Sequence, residues 1–79
     1  MKKEQIFKDL QEIIKNLFAE ENIELTDTFK DDIGLDSLDC VELEMEVEKL
    51  YNIRTEVDVS GKTVDEFIDI LLEDYLKVV

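Results

Sequence analysis

Gly34-Leu35-Asp36-Ser37-Leu38-Asp39 is the stretch on which the chain turns from an irregular acidic loop into an amphipathic helix. Asp36 has the short carboxylate favoured at a helix N-cap, which puts Ser37 at the first helical position with its hydroxyl facing solvent. A helix N-terminus presents unsatisfied N–H groups and the positive end of its dipole, a setting suited to a phosphate ester on that hydroxyl. On spacing alone, a capping role would suffice for Ser37. Nucleophilic catalysis would need a general base within hydrogen-bond reach, and the chain has no histidine. Nothing among its carboxylates and lysines suggests a buried, pKa-shifted pair, so an enzyme is not expected. The hydroxyl is better placed to be modified than to catalyse.

The helix that begins at Ser37 runs to about Tyr51 without Gly or Pro. At about 100° per residue, Cys40, Leu43, Val47, Leu50 and Tyr51 fall on one side, the side expected to pack on the first and last helices. Leu38, Val41 and Met45 fall on the other, flanked by Glu42 and Glu48, with Asp39 and Glu46 further round. Burying those charges unpaired would be costly, so the second stripe reads as an exposed apolar strip in an acidic surface, a docking face for a partner. Its alternative is a stripe packed beneath residues 54–62. Between Asp31 and Glu48 there are eight acidic residues and no basic one, which concentrates the negative field around Ser37.

Upstream, Ile6, Phe7, Leu10, Ile13, Ile14, Leu17 and Phe18 recur with the 3.6-residue period of a first helix. Downstream, Val64, Phe67, Ile68, Leu71, Leu72 and Tyr75 repeat it, and Thr63 with Glu66 reads as the capping box of a last helix. From about Glu21 to Asp36 the period fails, leaving isolated apolar anchors at Ile23, Leu25, Phe29, Ile33 and Leu35 on a long loop, a feature often functional in compact domains. Residues 54–62, β-branched and ending in Ser60-Gly61, fit either a short helical turn or plain loop. No repeat or linker divides the chain, so residues 1–79 are expected to form one domain.

Nine Lys plus Arg against 22 Asp plus Glu give a net charge of −13. Such a field makes nucleic acid and anionic membrane poor partners and favours basic patches on other proteins, reached by a fast, salt-sensitive encounter. Mimicry of DNA would also fit the charge. Cys40 is the sole cysteine, which excludes an intramolecular disulfide and agrees with a reducing cytoplasm. Met1-Lys2-Lys3-Glu4-Gln5 leads into alternating charges rather than an apolar signal region, and no apolar run reaches about 18 residues, so a cytoplasmic protein without membrane insertion is expected. Asp31 to Glu42 has the length of an EF-hand loop, but Ile33 and Leu35 occupy its third and fifth positions and Gly34 its fourth, so no metal site is expected.

With Phe29, Asp32-Ile33-Gly34, Asp36-Ser37-Leu38-Asp39, Val41-Glu42-Leu43 and Tyr51 in this order between two amphipathic helices, nearly the whole chain resembles the acyl carrier proteins. The resemblance implies an all-α fold, a small four-helix bundle with three longer helices, one short or irregular third helix and a long loop after the first helix. It implies 4′-phosphopantetheine on Ser37, transferred from coenzyme A by a phosphopantetheinyl transferase, with the acyl group held as a thioester on the prosthetic thiol rather than on Cys40. It places partner recognition on Asp36, Leu38, Asp39, Val41, Glu42, Met45 and Glu48, read by acyl-thioester synthesising enzymes with basic docking patches, and a sheltered acyl chain among Phe29, Cys40, Leu43, Val47 and Ile68. A monomer is expected. Two alternatives are an aminoacyl or peptidyl carrier, less suited to Asp36 and Leu38 around the serine, and an unmodified acidic helical adaptor. One departure stands out: family members commonly place Pro after the Ile that follows the central helix, whereas this chain continues Ile53-Arg54-Thr55-Glu56-Val57-Asp58, which leaves the third helix open.

A domain this small and this acidic repels itself, so NaCl or Mg²⁺ is expected to raise its thermal midpoint in calorimetry or circular dichroism. An unchanged or lowered midpoint would contradict the repulsion argument.

Overall fold

A computed structural model describes residues 2–55 and 57–75. They form α1 (Lys3–Phe18), α2 (Ser37–Tyr51) and α3 (Val64–Ile70), the last running on into a single π-helical stretch, Leu71–Tyr75. No strand is present among the described residues; one isolated antiparallel bridge joins Thr28 to Thr63. α1 packs against both other helices. It buries Ile6, Leu10 and Ile14, with Phe7, Ile13 and Phe18 half-covered beside them. α2 contributes Cys40, Leu43 and Val47, and α3 Val64, Phe67 and Ile68, with Leu71 just beyond. The fold is all-helical, as its sequence indicates.

The expected fourth element takes the other form that its sequence allowed. Among the described residues of the 52–63 connection there is no helix. Asn52 closes α2 in the left-handed conformation (φ 55°), and the N–H of Ile53 returns to the Glu48 carbonyl at 3.1 Å. The Glu48 side chain then accepts a hydrogen bond from the Thr55 N–H at 2.8 Å, and Val59 is fully buried. Side-chain capture and one apolar anchor replace the helical hydrogen bonds that β-branched Thr55, Val57 and Val59 favour less. A second difference concerns Leu50, expected in the inward stripe of α2 but 53% exposed. It lies at the stripe's margin, about 80° from Cys40 at 100° per residue, too far round to reach the core.

The long loop is held by specific bonds rather than by regular structure. Thr28 and Asp32 close a turn on each other: Asp32 Oδ2 accepts from the Thr28 N–H at 2.8 Å and its hydroxyl at 3.1 Å, while Thr28 Oγ1 accepts from the Asp32 N–H at 3.2 Å. Phe29 is fully buried with its ring edge-on to Phe67, centroids 5.7 Å apart at 85°. Such a burial contributes roughly 1.5–3 kcal/mol. Its N–H donates to Lys62 O at 3.2 Å, and its carbonyl accepts from Leu35 N–H at 2.9 Å. The loop also completes α3, whose first N–H groups lack intrahelical acceptors. Val64 and Asp65 donate to the carbonyls of Asp27 and Leu25, both at 2.9 Å, and Glu66 N–H goes to Thr63 Oγ1 at 3.1 Å in a complete capping box.

Two polar links tie α1 to the rest. Tyr51 donates its hydroxyl to Asp9 Oδ2 at 2.6 Å, fastening the end of α2. Burial first, then the Asp9 carboxylate, keep that phenol protonated well beyond its ordinary range. Lys3 reaches Asp65 and, at 3.0 Å, Asp69 on α3. Glu44 has no such partner among the described residues. Partial burial of Glu44, aided by the charges of Asp58 and Glu48, pushes its pKa from 4.5 up to about 7. An acid whose folded pKa lies above its unfolded value penalises the fold as it ionises: stability falls as pH rises from about 4.5 to about 7, and the penalty is complete above that.

Glu44→Gln is therefore expected to raise the thermal midpoint at pH 8 by more than at pH 5 and to flatten the profile between them. Equal gains at both pH values in thermal denaturation would show that Glu44 ionises normally.

Candidate functional site

Gly34 prepares the site by its backbone. Its φ of +89° is one that side chains rarely adopt, and an added Cβ would meet no atom within 4 Å, so torsion rather than space makes glycine suitable here. This turn buries Leu35 and delivers Asp36 in an extended conformation (φ −84°, ψ −176°) as the N-cap of α2. Asp36 Oδ1 accepts from the Asp39 N–H at 2.8 Å, and Asp39 Oδ2 accepts from the Asp36 N–H at 3.3 Å. The reciprocal box fixes the first turn, a contribution of about 1 kcal/mol. Its second half was missing from the sequence reading, although Asp at the third helical position was the visible signal.

Ser37 occupies the first helical position and is exposed. Its hydroxyl serves no hydrogen bond among the described residues, and the N–H groups of Ser37 and Leu38 lack intrahelical acceptors. Leu38 stands 79% exposed beside it, with Val41 at 52% and Met45 at 53% further along the same side. The second stripe of α2 therefore faces solvent, and packing of these three beneath residues 54–62 does not occur. Glu42 is exposed on this strip. Asp36 is exposed and Asp39 half-buried, both with a carboxylate oxygen engaged in the helix cap. Glu48 is half-buried, holding Thr55. Of the expected partner-facing residues, Leu38, Val41, Glu42 and Met45 are thus the open ones, and the other three also hold local structure.

The five residues expected around a sheltered chain, Phe29, Cys40, Leu43, Val47 and Ile68, all belong to one buried cluster. Cys40 sits one turn below Ser37 on the inward side, and burial, then the Glu44 charge, push its thiol above the ordinary value. Such a thiol stays protonated and is a poor nucleophile at neutral pH. Glu44 is the residue that sequence reading passed over: at about 40° from Cys40 on the helical projection, it was bound to lie at the edge of the core. Also unforeseen is a surface groove at the far end of the strip, lined by Met45, Glu48, Lys49, Ile53 and Arg54. Among the described residues, no three His, Cys, Asp or Glu side chains converge as a metal-ligand set. None of the described helices is long and apolar enough to cross a membrane.

Comparison with known proteins bears on this arrangement. The family profile described as a phosphopantetheine attachment site matches residues 8–71. Acyl carrier protein from Exiguobacterium sibiricum is 42% identical over 72 residues, covering 86% of this chain and 91% of the relative. Acyl carrier proteins from Coprothermobacter proteolyticus and Rubrobacter xylanophilus are 35% and 34% identical, covering 90% and 92% of this chain and 92% and 95% of their own lengths. No solved structure matches. A match that takes in the loop, α2 and α3, with relatives aligned almost end to end, means that the chain belongs to the acyl carrier protein family.

Proposed function

We propose that Ser37 is the attachment point of a 4′-phosphopantetheine arm, and that the chain carries acyl groups on it to the enzymes of fatty-acid or related acyl-thioester synthesis. The observation that carries this reading is the exposed, uncommitted hydroxyl at the first position of α2. The residues present fit the group. A phosphodiester on Ser37 Oγ would meet the open N–H groups of the first turn and the positive end of a 15-residue helix. When bound, the arm supplies the thiol on which the cargo rides as a thioester.

The protein's own part is positioning. Asp36 and Asp39 keep the first turn of α2 wound, so that Ser37 is offered at a fixed place to a phosphopantetheinyl transferase using coenzyme A. Tethering at that point holds the cargo near a docked enzyme at an effective concentration of order millimolar, without a separate binding site for each substrate. Leu38, Val41 and Met45 give a small apolar centre, and Asp36, Asp39, Glu42 and Glu48 the negative charge that attracts basic docking patches. Encounters are fast and complexes short-lived, as a shuttle requires. Between visits, Phe29, Cys40, Leu43, Val47 and Ile68 offer the apolar interior against which an acyl chain can fold back. The carrier acts as a cytoplasmic monomer, is not itself an enzyme, and its connection 52–63 holds the place of the short third element of a four-helix bundle. Asp36 and Leu38 around the serine favour acyl over aminoacyl cargo.

Intact mass after incubation with coenzyme A and a broadly acting transferase tests the assignment: one phosphopantetheine is gained by the native chain and none by Ser37→Ala. Gain by both, or by neither, removes Ser37 from the proposal. For the docking face, Glu42→Lys and Met45→Ala are each expected to lower acyl transfer to a partner enzyme by roughly tenfold, about 1.4 kcal/mol, with unchanged helicity because Met45 is half exposed. Lost helicity in Met45→Ala would place that side chain in the fold rather than at an interface.

A further inference from the structure

In a chain with 22 acidic residues, the groove at the end of the strip brings together two exposed cations, Lys49 and Arg54, with Met45 and Ile53 and with Glu48, whose carboxylate is engaged by the Thr55 N–H at 2.8 Å. Lys49 pairs with Glu46 at 3.1 Å but stays 70% exposed, and Arg54 forms no ion pair among the described residues. The groove is continuous with the docking strip through Met45, which belongs to both.

That strip has a translational ambiguity. Its apolar residues Leu38, Val41 and Met45 recur every three or four positions, and so do the acids along one edge of it, Asp39, Glu42 and Glu46. A basic partner displaced along α2 by one turn, about 5.4 Å, would meet almost the same pattern. Charge of one sign attracts such a partner without fixing where it stops, and a shift of that size would carry Ser37 away from the entrance the arm must find. Cations at one end alone remove the ambiguity: a partner shifted out of place brings its own basic residues against Lys49 and Arg54 and is repelled.

We propose that the Met45–Ile53 groove with Lys49 and Arg54 is a register stop, and that its occupant is an acyl-transferring partner whose basic docking patch ends in an apolar side chain beside a carboxylate. The apolar side chain enters between Met45 and Ile53, and the carboxylate meets Arg54 and Lys49. Lys49 lies twelve positions after Ser37 on the same helix, roughly 18 Å along its axis at 1.5 Å per residue, so the contact fixes the partner at a long lever from the arm. The inference rests on the docking strip assigned above and adds the polarity of the partner to it.

The test uses the full chain in its holo form, loaded with an acyl group, and a purified acyltransferase or condensing enzyme from the same organism that accepts it. kcat/KM is measured at low and high NaCl for the native protein, Glu42→Lys, Arg54→Glu, Arg54→Gln and the distant exposed control Lys15→Glu. Arg54→Glu is expected to lower kcat/KM at least tenfold, Arg54→Gln several-fold, and Lys15→Glu less than twofold. A surface that only sought positive charge would respond in the opposite direction, since each added negative charge would speed its encounter with a basic partner. Arg54→Glu equal to Lys15→Glu, or faster than the native protein, overturns the register stop. If Glu42→Lys alone slows transfer, the strip stands and the stop falls; if no variant slows it, both fall. Circular dichroism of each variant confirms that helicity is intact.

Discussion

The fold depends on how the backbone and ring of Phe29 are used at once. Its side chain lies edge-on to Phe67 in the core, its N–H reaches the Lys62 carbonyl just before α3, and its carbonyl holds the Leu35 N–H just before α2. Two helix starts far apart in sequence are thereby referred to one buried residue. The carbonyls of Leu25 and Asp27, which complete the first turn of α3, extend the same clamp. A loop of this length without regular structure would otherwise leave the direction of α2, and with it the position of Ser37, free to vary.

α2 is divided between two demands. One side supplies Cys40, Leu43 and Val47 to the core, while the other leaves Leu38, Val41 and Met45 in water. Exposing three apolar side chains in a row gives up burial that a structural helix would use, and a chain this short has little to spare. On the function proposed above, this strip is the surface that partner enzymes cover briefly and repeatedly. The half-buried Glu44 and the shared carboxylate work of Asp36, Asp39 and Glu48 show the same compromise: acids kept for their field are also the groups that cap the helix and hold the next segment.

Most of this was legible in the sequence, for identifiable reasons. The first and last helices followed from their 3.6-residue period, the starts of α2 and α3 from Asp36 and from Thr63 with Glu66, and the outward strip from helical projection and the cost of burying acids. Phe29, Ile33 and Leu35 stood out as apolar points in a polar stretch. What stayed open had no periodic signal. Residues 54–62 satisfy neither helix nor strand pattern, and their path is set by long-range partners, Glu48 for Thr55 and the core for Val59. Leu50 was misplaced because a projection ranks angles but does not show where the neighbouring helices end. The groove at Lys49 and Arg54 arises only when the end of α2 and the segment after it are brought side by side.

The absence of helix in the described part of the 52–63 connection has an energetic corollary. From Asn52 to Val59, its attachment to α2 includes two hydrogen bonds to the Glu48 carbonyl, from the N–H groups of Asn52 and Ile53, and one from the Thr55 N–H to the Glu48 carboxylate. A helical wall would have to unwind cooperatively to move, whereas the described part of this one has no ladder of helical hydrogen bonds to unwind. Opening of a segment without such a ladder lies at the inexpensive end of a protein's spectrum of fluctuations. A first turn of α2 wound by a reciprocal cap thus stands beside a segment tied by few local bonds, in a body only 35 by 22 by 21 Å across.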